Sequence, residues 1–169
     1  MLHVIPDIAV SPGHRLLGST KDVRGRTEYF QTAGINYDEL PVVRLDRSLR
    51  TALDRVALER YDVVFIELAQ YPRSMKWLAK KVPDTVRIVR PTNASSLQHL
   101  HLARLGGVSS GGWELLRAAR HFQKDAACAR HADHVLPITE WEQTHYWRRL
   151  TSPQKIVTVP FFVPREYDD

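Results

Sequence analysis

Short apolar runs alternate with longer stretches of helical periodicity along the whole chain. The apolar runs lie at 2–6, 41–45, 61–67, 85–90, 135–138 and 156–159. Between most of them, apolar residues recur every three or four positions, which is the spacing of a helix with one buried face. Strands and helices that alternate in this way predict a parallel sheet with helices on both faces. The predicted fold class is therefore α/β, a Rossmann-like doubly wound parallel sheet in three layers (α/β/α).

The run at 61–67 is the clearest strand of the chain. Its centre, 63–66, is an uninterrupted Val-Val-Phe-Ile sequence, which is typical of a parallel strand buried on both faces. We therefore expect this strand to be central in the sheet. Residues 2–6 form the predicted first strand, at the N-terminus, as is common in doubly wound sheets.

Turn and capping residues predict where the helices begin and end. A first helix is predicted from about residue 26 to residue 33, because Gly34 provides a C-terminal stop. Ser48 is predicted to cap the second helix, and Ser95 or Ser96 a later one.

The glycine-rich stretch 106–112 is predicted to be a flexible linker, with a phosphate-binding nest as the alternative. A long amphipathic helix follows it. The predicted buried stripe of this helix consists of Leu115, Ala119, Phe122, Ala126 and Ala129.

The stretch 132–160 combines a strand, a capped helix and a second strand. The brief apolar run at 135–138 leads directly into Thr139-Glu140-Trp141-Glu142. There the Thr139 hydroxyl can cap the Glu142 amide while the Glu142 carboxylate reaches back. The helix is predicted to run to about Leu150, and the β-branched run at 156–159 then forms the second strand.

This stretch resembles the end of the first domain of GT-B glycosyltransferases, especially glycosyltransferase family 4. In that family a strand that begins with Ala-Asp leads into a capped helix, and a strand that begins with Lys and ends with Pro crosses to a second domain. The residues that carry the resemblance are Ala132-Asp133, Thr139, Lys155 and Val159-Pro160. The resemblance covers nearly the whole chain, loosely over the first 60 residues and more firmly from residue 61 to residue 164.

The resemblance implies the acceptor-binding half of an enzyme that transfers a sugar from a nucleotide-sugar donor to a saccharide or other hydroxyl acceptor, including a lipid-linked one. Such retaining enzymes bind the donor mainly in a second domain, so a C-terminal donor-binding domain or a partner chain is an expected partner. The isolated chain is expected to be inactive without it. No cofactor is implied.

Site residues follow from the same resemblance. In the family a residue after the fourth strand, often His, lies near the transferred sugar, and here that region contains Thr92 and Asn93. The predicted catalytic residues are therefore Thr92 and Asn93, and the predicted substrate-binding residues are Ser11, Gly13, His14, Gly18, Glu67, Arg90 and Glu140.

These segments are far apart in sequence, but most follow a predicted strand, and parallel strands all exit at one edge of the sheet. Gly13 is expected to let the backbone approach the donor diphosphate, and Glu67 and Asn93 to orient acceptor hydroxyls. Arg90 is expected either to bind an anionic acceptor group or to pair with Glu67.

Composition limits the remaining possibilities. A chain of 169 residues with 43% hydrophobic residues suits one domain, predicted at 1–164, with 165–169 as the start of a linker. The absence of a long apolar run or a signal sequence predicts a cytoplasmic location, with peripheral membrane association as an option. The apolar segment 161–164 predicts self-association as a further option. Cys128 lies in an Ala-rich helical stretch and is predicted to be buried filler.

Charge and histidine spacing argue against two other classes of protein. The net charge of +5 comes from scattered Arg residues without aromatic interleaving, which disfavours nucleic acid as a partner. His99 and His101 are two residues apart and point to different sides of a helix, so no metal site is predicted.

Two rival classes of function remain open. The first is a non-catalytic binding or regulatory module of flavodoxin-like topology, which the same β/α pattern also produces. The second is a small-molecule enzyme whose first loop binds a phosphorylated substrate through Ser11, Gly13 and His14.

Overall fold

The computed structural model describes residues 1–6, 18–43, 46–92, 94–106 and 108–162. Within these ranges five parallel strands form one sheet in the order β2-β1-β3-β4-β5. The strands are β1 (Leu2–Pro6), β2 (Asp38–Val42), β3 (Val63–Glu67), β4 (Val86–Arg90) and β5 (His134–Val135). The helices in the same ranges are α1 (Gly18–Thr32), α2 (Asp46–Leu53), α3 (Pro72–Lys81), α4 (Ser95–Leu105), α5 (Val108–His131) and α6 (Glu140–His145). The predicted Rossmann-like α/β fold is confirmed, and β3 is the central strand.

One face of the sheet is apolar and holds the main core. Leu2, Val4 and Ile66 point to this face and are buried against α2, α3 and α5. Cys128 of α5 is fully buried in this core, which confirms its prediction as filler. Burial raises the pKa of its thiol, so the thiolate is not formed at neutral pH.

The opposite face of the sheet carries both apolar and polar side chains and is covered by α1. His3 lies opposite Phe65 in the parallel register of β1 and β3, and both side chains point towards α1. The ring of Phe30 from α1 lies 5.3 Å from the His3 ring. Beyond this aromatic contact, towards the carboxyl edge, the same face carries a cluster of charged side chains.

The long helix α5 differs most from its prediction. Of the predicted buried stripe, Ala129 is fully buried, but Leu115 is 52% and Phe122 is 45% exposed. A 24-residue helix is about 36 Å long, whereas a five-residue strand spans about 17 Å. The first half of α5 therefore projects past the sheet, where its main helical contact is α4. In the described ranges, no helix has both the length and the hydropathy that a bilayer-spanning helix needs.

Several helices and strands begin or end some residues away from their predicted positions. Helix α1 begins at Gly18, eight residues before the predicted start, and β2 occupies 38–42 instead of 41–45. Ser48 lies inside α2 and does not cap it, because α2 begins at Asp46. The predicted linker at 106–112 is mostly helical, since α5 begins at Val108.

The capping predictions have a mixed outcome. Thr139 caps α6 as predicted, because its hydroxyl accepts a hydrogen bond from the Glu142 amide at 3.1 Å. The Glu142 carboxylate does not reach back but accepts from the backbone N–H of Ala94. Ala94 precedes α4 without a side-chain cap, and the Ser96 hydroxyl points inwards to the Tyr146 hydroxyl.

The chain after α6 adds an extended segment beside β5. Ile156 forms a parallel bridge with Val135, and the Val159 amide donates to the Pro137 carbonyl. The predicted strand at 156–159 is therefore reduced to a bridge and one further hydrogen bond. The segment then crosses the carboxyl edge of the sheet as far as α1, where Phe162 lies beside Gly25.

Candidate functional site at the carboxyl edge of the sheet

The carboxyl ends of β1 and β3 lie at the switch point of the sheet. From β1 the chain continues to β2 on one side, and from β3 to β4 on the other. Doubly wound proteins bind ligands in the crevice that such a switch point opens. Ser11, Gly13, His14 and Asn93 lie outside the described residues, and Gly18 is the first residue of α1.

A buried ionic cluster fills the α1 side of this edge. Glu67, at the end of β3, receives two hydrogen bonds from the Arg26 guanidinium, Nε to Oε1 and Nη2 to Oε2, each 2.8 Å long. Nε2 of His3 lies 2.8 Å from Oε1 of Glu67. Arg26 also contacts both carboxylate oxygens of Asp22, one helical turn earlier in α1. All four side chains are at most 2% exposed, so the buried charges of Asp22, Arg26 and Glu67 depend on one another.

Asp22 is held ionised by its neighbours. Burial alone would raise the pKa of its carboxyl group, but hydrogen bonding and charge from Arg26 oppose this. The Phe162 amide also donates to Oδ1 at 2.8 Å, and Arg90 lies 3.4 Å away. The net effect is a pKa of Asp22 below its ordinary value.

Arg90, at the end of β4, joins the C-terminal segment to the sheet. Its Nη1 donates to the backbone carbonyls of Leu136, Pro137 and Val159, and its Nη2 donates to that of Pro160. The side chain is fully buried. In the described structure Arg90 thus serves to fix the chain that crosses the edge.

The structure brings Glu67 and Arg90 together in one cluster, as the topology predicts. Arg90 forms its ion pair with Asp22, whereas the Glu67 carboxylate is held by Arg26 and His3. Neither side chain faces the solvent. Their predicted contact with a substrate stays a prediction.

Gly25 allows the C-terminal segment to lie directly on α1. A Cβ atom at this position would lie 2.9 Å from both the carbonyl carbon and the Cβ of Phe162. The ring of Phe162 in turn lies 5.2 Å below the Arg26 guanidinium. The close approach therefore places an aromatic ring over the ionic cluster.

We expect Gly25→Ala to push Phe162 away from α1. Overpacking of this kind costs about 1–3 kcal/mol, so hydrogen exchange of the Phe162 amide should become faster. Gly112→Ala is the matched control, because a Cβ in α5 at Gly112 meets no atom within 4 Å. Unchanged protection of the Phe162 amide in Gly25→Ala would show that the segment is not held by this contact.

The other half of the edge, after β4 and β5, contains a buried polar relay. The Ser96 hydroxyl donates to the Tyr146 hydroxyl at 2.7 Å, and the Tyr146 hydroxyl donates to Oδ2 of Asp125 at 2.6 Å. Asp125 is 4% exposed, and burial raises the pKa of its carboxyl group to about 7. Burial and the neighbouring Asp125 also raise the pKa of Tyr146.

Next to this relay, a concave site of about 430 Å³ opens between the first turns of α4 and α6. It is lined by Ala94, Leu97, Gln98, Trp141 and Glu142. Trp141 is 56% exposed, and its ring stacks on that of His145 with a centroid distance of 4.9 Å. Oε2 of Glu142 is buried at this site and has no hydrogen-bond partner among the described residues.

Two predicted residues flank this concave site in the chain. Thr92 is half-buried and lies two residues before Ala94, and Glu140 is exposed in the first turn of α6 beside Trp141. Gln98 and Trp141 line this site and are not among the residues predicted from the sequence. The one signal for Trp141 is a large aromatic residue two positions after the helix cap Thr139.

Of the two histidines considered for a metal site, His99 contacts an acidic residue and another histidine. His99 lies 2.6 Å from the Glu114 carboxylate and stacks on His121 at 5.0 Å. Across the described ranges, no group of three or more His, Cys, Asp or Glu side chains is arranged to hold a metal ion. The chain matches no protein-family model, no curated protein and no solved structure.

Proposed function

We propose that this chain is the acceptor-binding domain of a GT-B type glycosyltransferase, and that the concave site beside Trp141 binds the acceptor saccharide. The observation that carries the proposal is a concave site at the carboxyl edge that combines an exposed aromatic ring with polar side chains. This edge is where ligands bind in doubly wound sheets.

The chemistry of the lining suits a sugar ring. One face of a pyranose presents C–H groups, which pack on an aromatic ring, and its edge presents hydroxyl groups. Trp141 supplies the ring, while Gln98 supplies both a hydrogen-bond donor and an acceptor. The unpaired Oε2 of Glu142 is a further acceptor, which a small side-chain rotation would turn to a sugar hydroxyl.

In this proposal Thr92, together with Asn93, orients the acceptor hydroxyl towards a donor bound by a second domain. Transfer in such enzymes depends on positioning and on stabilisation of the leaving phosphate, so no strong base is required at this position. The crossing segment fixed by Arg90 then forms the path by which the chain leaves the domain.

One observation favours a second candidate function. The strand order β2-β1-β3-β4-β5 is that of flavodoxin-like sheets, a topology that also serves non-catalytic binding and regulatory modules. In that case the same concave site would bind a saccharide without transfer.

We expect Trp141→Ala to weaken saccharide binding by about thirtyfold, the effect of losing a contact aromatic worth about 2 kcal/mol. Methyl glycosides of glucose, galactose, mannose and N-acetylglucosamine serve as probes, titrated while NMR follows the backbone amide signals of Ala94, Leu97, Gln98 and Glu142, which line the site in both variants. Trp113→Ala is the matched control, because Trp113 is 59% exposed on α5 and does not line the concave site.

Much smaller glycoside-induced shifts of these amide signals in Trp141→Ala, with shifts retained in Trp113→Ala, would support the proposal. Binding that is absent in the parent chain for every glycoside, or weakened equally in both variants, would overturn it. A second experiment separates the two candidate functions. The chain, a glycoside that it binds and a donor-binding domain are incubated with nucleotide sugars. A glycosyltransferase would release nucleotide under these conditions, whereas a non-catalytic binding module would release none.

A further inference from the structure

A second concave surface, which we call the basic groove, lies on the apolar-core side of the sheet. It has a volume of about 650 Å³ and is bounded by α2, α3 and α5. Its charged lining residues are Asp46, Arg47, Arg50, Arg73, Arg120 and Lys124. None of its lining residues lines the concave site beside Trp141.

The cations of the basic groove are largely without counter-ions in the protein. Among the described residues, Arg47, Arg73 and Arg120 make no ion pair with an acidic side chain. The charge of Arg50 is partly compensated, since its Nε lies 3.5 Å from Oδ2 of Asp54 and its guanidinium stacks on the Trp77 ring at 4.3 Å. Three separate elements therefore direct like charges into one concavity.

The single carboxylate of the groove is already engaged. Oδ2 of Asp46 accepts from the Arg73 amide at 2.8 Å, and Oδ1 accepts from the Ser74 amide at 2.9 Å and from the Ser74 hydroxyl at 2.6 Å. These bonds cap the start of α3, so the helix terminus offers no free N–H groups at these two positions. Any attraction for an anion must come from the Arg and Lys side chains.

Like charges held around a concavity repel one another, and a multivalent anion relieves this repulsion while accepting charge-assisted hydrogen bonds. Arg guanidinium groups fit phosphate oxygens in a two-point geometry. We propose that the basic groove binds a ligand with a phosphate group of at least two negative charges. The source is either a free phosphorylated compound or the headgroup of a phospholipid.

Inorganic pyrophosphate is the first probe, measured by titration calorimetry against the parent chain at constant ionic strength. We expect saturable one-site binding, and at least a tenfold weaker Kd in the double variant Arg73→Gln, Arg120→Gln. The matched control is Arg104→Gln, Arg148→Gln, which removes the same charge from two exposed positions outside the groove. Its Kd should stay within twofold of the parent value.

Sedimentation with vesicles distinguishes a phospholipid headgroup from a free phosphorylated compound as the ligand. Vesicles of phosphatidylcholine with 10% phosphatidylinositol 4-phosphate test a phosphomonoester headgroup, and vesicles of phosphatidylcholine alone are the blank. Binding to the former that is lost in the groove variant assigns the site to a lipid headgroup, and pyrophosphate binding alone assigns it to a soluble ligand. Binding of neither probe, or equal losses in the groove and control variants, would overturn the proposal.

Discussion

Arg26→Met is expected to destabilise the fold by about 3–5 kcal/mol, a large part of the stability of an ordinary domain. The substitution keeps an apolar side chain of similar length between the Phe65 and Phe162 rings, which lie 5.6 and 5.2 Å from the guanidinium carbon. It leaves Asp22 and Glu67 buried without their main cationic partner. Denaturation by urea, followed by far-UV circular dichroism, measures the change.

Two further variants separate charge from packing. Arg55→Met, at an exposed position after α2, should change the free energy of unfolding by less than about 0.5 kcal/mol. The double variant Arg26→Met, Glu67→Gln should recover part of the loss, because it removes one of the two buried carboxylates that lose Arg26 as a partner. A double variant that is no more stable than Arg26→Met would assign the effect to packing and contradict the electrostatic argument.

The strands were the most predictable part of this fold, because most are short runs of β-branched and apolar residues. The Val63-Val64-Phe65-Ile66 run is buried from both sides, and that double burial is what identified β3 as central. The predicted position of β2 is wrong because this strand is not buried on both faces. Its Asp38 and Glu39 are exposed at the edge of the sheet, so its sequence does not resemble a buried strand.

The ionic cluster was harder to predict, because its members are spread along the chain. Glu67 and Arg90 are predicted to bind ligand because each ends a strand at the carboxyl edge of the sheet, where ligands bind in doubly wound folds. Their actual partner elements, α1 and the segment before Phe162, come together only in the folded chain. One local signal was present, since Asp22 and Arg26 are four residues apart on one helical face.

The concave site beside Trp141 also depends on tertiary contacts. The loop after β4 was predicted as part of the site, but Gln98 and Trp141 belong to two helices whose approach is fixed by the Glu142 contact to Ala94. Asp125 offered a clearer signal, because it lies on the side of α5 that buries Ala118 and Ala129. An acidic residue within a buried stripe predicts a hydrogen-bonded partner from another element, here Tyr146.

Asp125 is expected to make the fold less stable as the pH rises from about 4 to about 8. Its pKa is about 7 in the folded chain, chiefly because of burial, and 3.8 in the reference state. Between these two values the folded state binds more protons than the unfolded state, so its stability falls with increasing pH. A difference of about three pKa units corresponds to a loss of about 4 kcal/mol once both states are ionised.

Asp125→Asn should remove this pH dependence, because the amide stays neutral and its oxygen can still accept from the Tyr146 hydroxyl. Urea denaturation at pH 5, 6, 7 and 8 gives the test, with Asp84→Asn in an exposed turn as the control. The stability of Asp125→Asn relative to the parent chain should rise with pH, whereas that of Asp84→Asn should stay constant.

Tyr146→Phe provides a second, independent test of the raised pKa of Asp125. The hydrogen bond from Tyr146 lowers the pKa of Asp125 against the effect of burial, so its removal should raise that pKa further. The decline in stability attributable to Asp125 should then extend to higher pH than in the parent chain. If the free energy of unfolding changed with pH in the same way in the parent chain and in Asp125→Asn, the Asp125 carboxyl group would titrate near its ordinary pKa. The buried relay would then be ionised at neutral pH.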